Sequence, residues 1–199
     1  MLHDGFWQDE LTTQSKKLDC LMREINIALS NGKLWGSQEI QEMHHKISKE
    51  IFFSAAIIRK IIEEENAFFS NAKRYNKSVW KAPEAPNLTG DDVYSLYALQ
   101  VPTIKFSIKN VEDDFAVFWG DYSIEDYDLT TGKKETLLLK DISNMIIHSY
   151  IWNLGNINAN NSVSGFFVSS DFDKAKSVNY VSLEIWSQLI KRCVDDAYW

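Results

Sequence analysis

Three polar side chains in the stretch Leu137–Ile151, LLLKDISNMIIHSYI, are spaced to act together. On a helix advancing about 100° per residue, Asp141, Asn144 and His148 follow one another at steps of three and four and form one ridge. An imidazole can change charge near neutral pH, so His148 is a candidate general acid–base. One turn earlier, Asn144 has the chemistry to orient that imidazole or to hold a phosphate oxygen, and Asp141 that to stabilise an imidazolium. The competing structural role is a His148 that hydrogen-bonds a carbonyl at a helix–strand junction and helps pack the bundle.

Arg59 lies within IIRKII, on the helix whose pattern is the most apolar of the chain. A desolvated guanidinium needs a carboxylate or phosphate partner. Arg59 therefore either reaches the 141/144/148 ridge, bringing a cation to it, or makes a structural ion pair or snorkels to solvent. Adjacent His44 and His45, with Glu42 and Glu50, do not make a zinc set, because neighbouring helical residues point about 100° apart. Asp171 and Asp173 in SSDFDK read as an ordinary turn. No GxxxxGK[ST], GxGxxG, HExxH or GxSxG occurs, which disfavours the commonest nucleotide-binding, zincin and hydrolase classes. No cofactor and no metal are expected.

The elements that must position these residues follow from periodicity. Trp7, Leu11, Leu18, Leu21, Met22, Ile25 and Leu29 recur at helical steps and predict a first helix over Phe6–Leu29, ended by Asn31-Gly32. A second runs from after Ser37 to about Phe69, with Ile40, Ile47, Ile51, Ile58 and Ile61 on one seam and a core block IFFSAAII that is apolar nearly all round. Residues 70–92, bearing Pro83, Pro86 and Gly90, read as an excursion from the bundle. VPTIKFSI (101–108) alternates as a strand, 115–119 and 122–129 as less regular strands, and Thr131-Gly132-Lys133 as a turn. The opening stretch is read as one helix over 137–152, with Ile142, Met145, Ile146, Ser149 and Trp152 on its packing arc. A hairpin of Val163–Ser169 and Val178–Val181 follows, and Ser182 opens a last helix bearing Ile185, Trp186, Leu189, Ile190 and Cys193.

These elements predict an α+β chain. It is mainly a helical bundle of about four helices, with a small antiparallel β-sheet insertion contributed by residues 101–130 and 162–181. Residues 1–199 are read as a single domain, since 199 residues at 45% hydrophobic content suffice for one full core. The net charge of −7 excludes a generally basic nucleic-acid binder but leaves room for a local basic groove. Cys20 and Cys193, without metal spacing, are expected to be reduced packing residues. The seven Trp and eight Tyr residues fall mostly at apolar-phase positions, so core packing explains them better than base stacking. Neither an export segment nor a membrane span is visible, so a cytoplasmic location is expected.

The run Ser143-Asn144-Met145-Ile146-Ile147-His148 resembles the signature of the HEPN superfamily. There an Arg, usually followed by a polar residue such as Asn, precedes a His by four to six positions on a late helix of an all-helical bundle. By that resemblance Asn144 and His148 match the polar residue and the His. Ser143 stands where the family has Arg, and Lys140 lies three residues too early and points elsewhere on the helix. SKEIFFSAAIIRKIIEE, NMIIHSY and GFFVSSD are similar to a group of uncharacterised bacterial proteins associated with the same superfamily. The resemblance implies a protein of a bacterial defence or toxin-type system that homodimerises so that two motifs line one cleft. It is then either a weak metal-independent ribonuclease acting on RNA, with His148, Asn144, Arg59 and Asp141 in the site, or a degenerate relative without activity. The alternative of a different class is a module that dimerises or binds a protein partner through an apolar face around Ile147 and Ile151.

Overall fold

The computed structural model describes residues 6–75, 96, 99–109, 122–155 and 162–195. Helix α1 (Phe6–Ser30) buries Leu11, Ser15, Leu18, Ile25 and Leu29 along one stripe. Its end is set by Gly32, whose φ of 84° lets Lys33 N–H and Gly32 N–H return to Ala28 and Leu29 carbonyls at 3.1 and 3.0 Å. Helix α2 (Gln38–Tyr75) runs past the expected end, and residues 76–92 of the expected excursion lie outside the described residues. It buries Ile40, Ile47, Ile51, Ala55, Ile58 and Ile62. The block IFFSAAII is one-sided and not enclosed, since Phe53 is 47% exposed.

Strands β1 (Gln100–Ser107), β2 (Lys133–Leu138), β3 (Ser149–Gly155), β4 (Gly165–Ser170) and β5 (Ser177–Ser182) form one antiparallel sheet in the order β2-β1-β5-β4-β3. Helix α3 (Leu139–Ile147) joins its two edge strands, and α4 (Leu183–Asp195) follows β5. The α+β class holds, but the sheet is a full layer and not a small insertion. Its two unexpected strands, β2 and β3, overlap the two ends of the expected 137–152 helix. That helix is in fact nine residues long, because Leu137 and Leu138 pair with Val101 and Gln100 while Trp152 and Leu154 pair with Val168 and Phe166. Apolar runs buried by tertiary pairing carry no alternation to distinguish strand from helix. Residues 122–129 form a 3-10 turn at Ile124–Asp126 and a single bridge from Tyr127 to Ile108, not a strand; 115–119 lie outside the described residues.

Alternation assigns the two faces of the sheet. Val101, Val181, Phe166, Val168 and Leu154 pack beneath the four helices in the main core. Phe106, Val178, Tyr180, Phe167 and Ile151 face the other way and pack with Tyr127. Cys193 is buried, whereas Cys20 is exposed on α1 and is not a packing residue. Among the described residues, no helix is long and apolar enough to cross a membrane.

Polar contacts from α2 fix the layers to each other. Trp152 Nε1 donates to Ser48 Oγ at 2.9 Å, and Trp186 Nε1 to Ser54 Oγ at 3.0 Å. Leu154 N–H, on the outer edge of β3, donates to His44 Nε2 at 3.3 Å. Burial, and then the neighbouring His45 charge, hold the His44 imidazole below its ordinary value of 6.5, consistent with a ring nitrogen that must stay an acceptor. A pKa lower in the folded than in the unfolded chain means stability is fully present above 6.5 and is lost as pH falls through the folded value. Denaturation of wild type should therefore show a loss below pH 6.5 that His44→Gln lacks. Ser54→Ala, which leaves a buried indole N–H without its acceptor, should cost about 1–3 kcal/mol in urea unfolding.

Candidate functional site

Helix α3 crosses the helix-covered face of the sheet from one edge to the other, so its own faces are assigned by what lies on each side. Leu139, Ile142, Ser143 and Ile146 point inward and are buried. Asn144 is half-buried on the α2 side, and Asp141 and His148 are exposed. His148 caps the C-terminus, its backbone N–H bonding the Asn144 carbonyl at 2.9 Å with φ −108° and ψ 30°. The ridge is thus helical at Asp141 and Asn144 and ends at His148, where the chain turns into β3. No hydrogen bond or ion pair orients the His148 imidazole among the described residues.

Arg59 reaches this ridge. Its Nη1 donates to Asn144 Oδ1, bridging α2 and α3, and its Nε donates to Glu63 Oε1 at 2.8 Å. The guanidinium is not desolvated, as the apolar IIRKII context suggested, but sits at the rim of the α2–α3 interface with 35% of its side chain exposed. Glu63 is the site residue that sequence reasoning missed. The Arg59 hydrogen bond, with the charges of Arg59, Lys60 and Lys140 behind it, holds its carboxyl below the usual carboxylate range. Both signals were present as i,i+4 spacings: Arg59 to Glu63 along α2, and Lys140 to Asn144 along α3.

Ser143, at the motif's cation position, has no exposed surface, and its Oγ is buried without a hydrogen-bond partner. Positions 143 and 148 are five residues, or about 140°, apart on a helix, and packing has sent one inside and the other outside. The cation at the site is accordingly Arg59 of α2, which joins Glu63 of α2 to Asn144 of α3. The apolar face expected around Ile147 and Ile151 is not open. Ile151 is 4% exposed and lies in the Tyr127 cluster on the far side of the sheet, while Ile147 packs on the main core.

His44 and His45 diverge as expected, His44 inward to β3 and His45 to solvent. Asp173 accepts from Ser170 Oγ and Asp171 pairs with Lys174, each at 2.7 Å, so both carboxylates serve their turn. Among the described residues, no three or more His, Cys, Asp or Glu side chains converge as metal ligands would. No family model, curated protein or solved structure matches the chain.

The Arg59–Asn144 bond is the side-chain tie between α2 and α3 at this end of the interface. Arg59→Met, which keeps the stem and removes the donors, should lower stability by about 1 kcal/mol. It should also raise amide exchange in α3 well beyond that in α1. Glu63→Gln, which removes only an exposed i,i+4 pair, should cost no more than about 0.5 kcal/mol.

Proposed function

We propose that this chain is a HEPN-like protein of a bacterial defence or toxin-type system that works as a homodimerising binding module and not as a ribonuclease. The observation that carries this reading is the disposition of the cations. Ribonuclease chemistry of this kind depends on positive charge at the scissile phosphate beside the imidazole. Here the motif position is a buried serine, and the substituting guanidinium already engages Asn144 Oδ1 and Glu63 Oε1. Among the described residues, no partner orients the exposed imidazole of His148. An acid–base group without orientation and without a neighbouring cation retains recognition chemistry and loses most of its catalytic leverage.

The exposed remainder of the ridge, Asp141 and His148, suits a polar contact with a second copy, and the overall charge of −7 disfavours RNA as the partner. Purified wild type and His148→Ala should be equally inert on single-stranded and structured RNA in EDTA; cleavage that His148→Ala abolishes would overturn the module reading. Light scattering should give about twice the 23.0 kDa chain mass. Asp141→Arg, at an exposed position, should weaken the dimer at least about tenfold through like-charge contacts; a monomeric wild type would remove the dimer from the proposal.

A further inference from the structure

The sheet face turned away from the helices carries a groove of about 480 Å³ over β2, β1 and β5. Register places Ile104 opposite both Lys134 and Tyr180, with Thr136 and Ser182 two residues along on the same face, and Ile185 of α4 closes one end. Its aromatic wall is built in. Tyr180 is 5% exposed, its hydroxyl meets Ser164 Oγ at 2.7 Å, and its ring lies so close over residue 165 that a Cβ there would fall 2.2 Å from it. Gly165 is therefore required for the Tyr180 ring to take this position, as Gly132 is for the turn that passes close to Ile104.

The charge in this groove is specific. On the opposite face Glu135 pairs with both Lys105 and Lys133, at 3.6 and 3.7 Å. Lys134, pointing into the groove face, has no carboxylate partner among the described residues. The lining thus sets the Lys134 ammonium beside the Thr136 and Ser182 hydroxyls and an Ile–Tyr–Ile surface, with Pro102, Thr103 and Glu135, whose carboxylate is engaged by Lys105 and Lys133, completing the wall. Small-molecule sites have this composition, an apolar concavity with a few polar groups that fix orientation.

We infer that the groove binds a small amphipathic carboxylate, with the apolar body on Ile104, Tyr180 and Ile185 and the carboxylate at Lys134, where Thr136 and Ser182 hydroxyls donate to it. This site is separate from the α2–α3 ridge and stands or falls independently of its role. Titration of the ¹⁵N-labelled full chain with phenylacetate should give saturable amide shifts confined to residues 103–104, 134–136 and 180–185. Its uncharged counterpart, 2-phenylethanol, should bind at least about tenfold more weakly, about 1.4 kcal/mol. Lys134→Gln should bring the two to within about twofold, and Thr136→Phe, which fills the groove from an exposed strand position, should abolish the shifts. The inference is overturned by shifts that do not saturate or fall elsewhere, or by a carboxylate preference that survives Lys134→Gln.

Discussion

Two indole N–H groups enclosed by the core need acceptors, and α2 supplies both. Trp152 of β3 and Trp186 of α4 donate to Ser48 and Ser54, and an unsatisfied buried donor would cost as much as a sizeable fraction of a domain's net stability. The same rings form a column with their neighbours: Phe52 to Trp152 at 5.0 Å, Trp152 to Phe166 at 5.0 Å, and Phe166 edge-on to Trp186 at 5.9 Å. Aromatic contacts of this kind tolerate several offsets, whereas the two hydrogen bonds do not. They set the rotation and the axial position of α2 over the sheet. His44 then falls against the edge of β3 and Arg59 against α3 as consequences of the same helix register.

The sheet edges show what that arrangement protects. Of the two edge strands, β2 carries Lys133, Lys134 and Glu135, charges that discourage pairing with another chain. The other, β3, carries no charged residue, and its outward N–H at Leu154 is taken by His44. Because α3 links these two edges directly, it must lie across the sheet, with one side on the apolar floor and the other toward α2. Asp141 and the capping His148 are its exposed residues, while Lys140, Asn144, Met145 and Ile147 are half-buried. The polar cluster at 59, 63 and 144 is therefore an interface rim held together through Arg59.

The opposite face is built differently. Among the described residues it carries no α-helix; Phe106, Phe167, Val178 and Tyr180 pack with Ile151 and Tyr127, flanked by Tyr122 and by Ile124 of the 3-10 turn, and the Tyr127 hydroxyl donates to the Lys174 carbonyl. Burial pushes that phenol up to about 12, so it remains a donor at any physiological pH. Toward β2 this second cluster gives way to the groove, where Tyr180 is held down on Gly165 and Lys134 stands opposite Ile104. A sheet with one face under helices and the other half-filled leaves such a concavity where its small residues lie.

Periodicity by itself determined α1, α2, α4 and the first strand, because each buries one stripe or one face and so leaves a period in the residue order; the Gly32 stop and the β4–β5 hairpin, whose strands are buried on both faces, were legible from turn residues bounding the apolar runs. It also brought Asp141, Asn144 and His148 onto one ridge and raised Arg59 as its cation. Tertiary structure alone decided the rest. Leu137-Leu138 and Ile151–Leu154 became strands because partners distant in the chain pair with their backbone, and their apolar residues fall on both faces, which leaves no alternation to mark them. The same pairing shortened α3 to nine residues, turned Ser143 inside and His148 out, and drew Ile151 into a second core. Whether a polar ridge is an open site or an engaged rim depends on which helix faces it, and the spacing of residues along one helix holds no record of its neighbour.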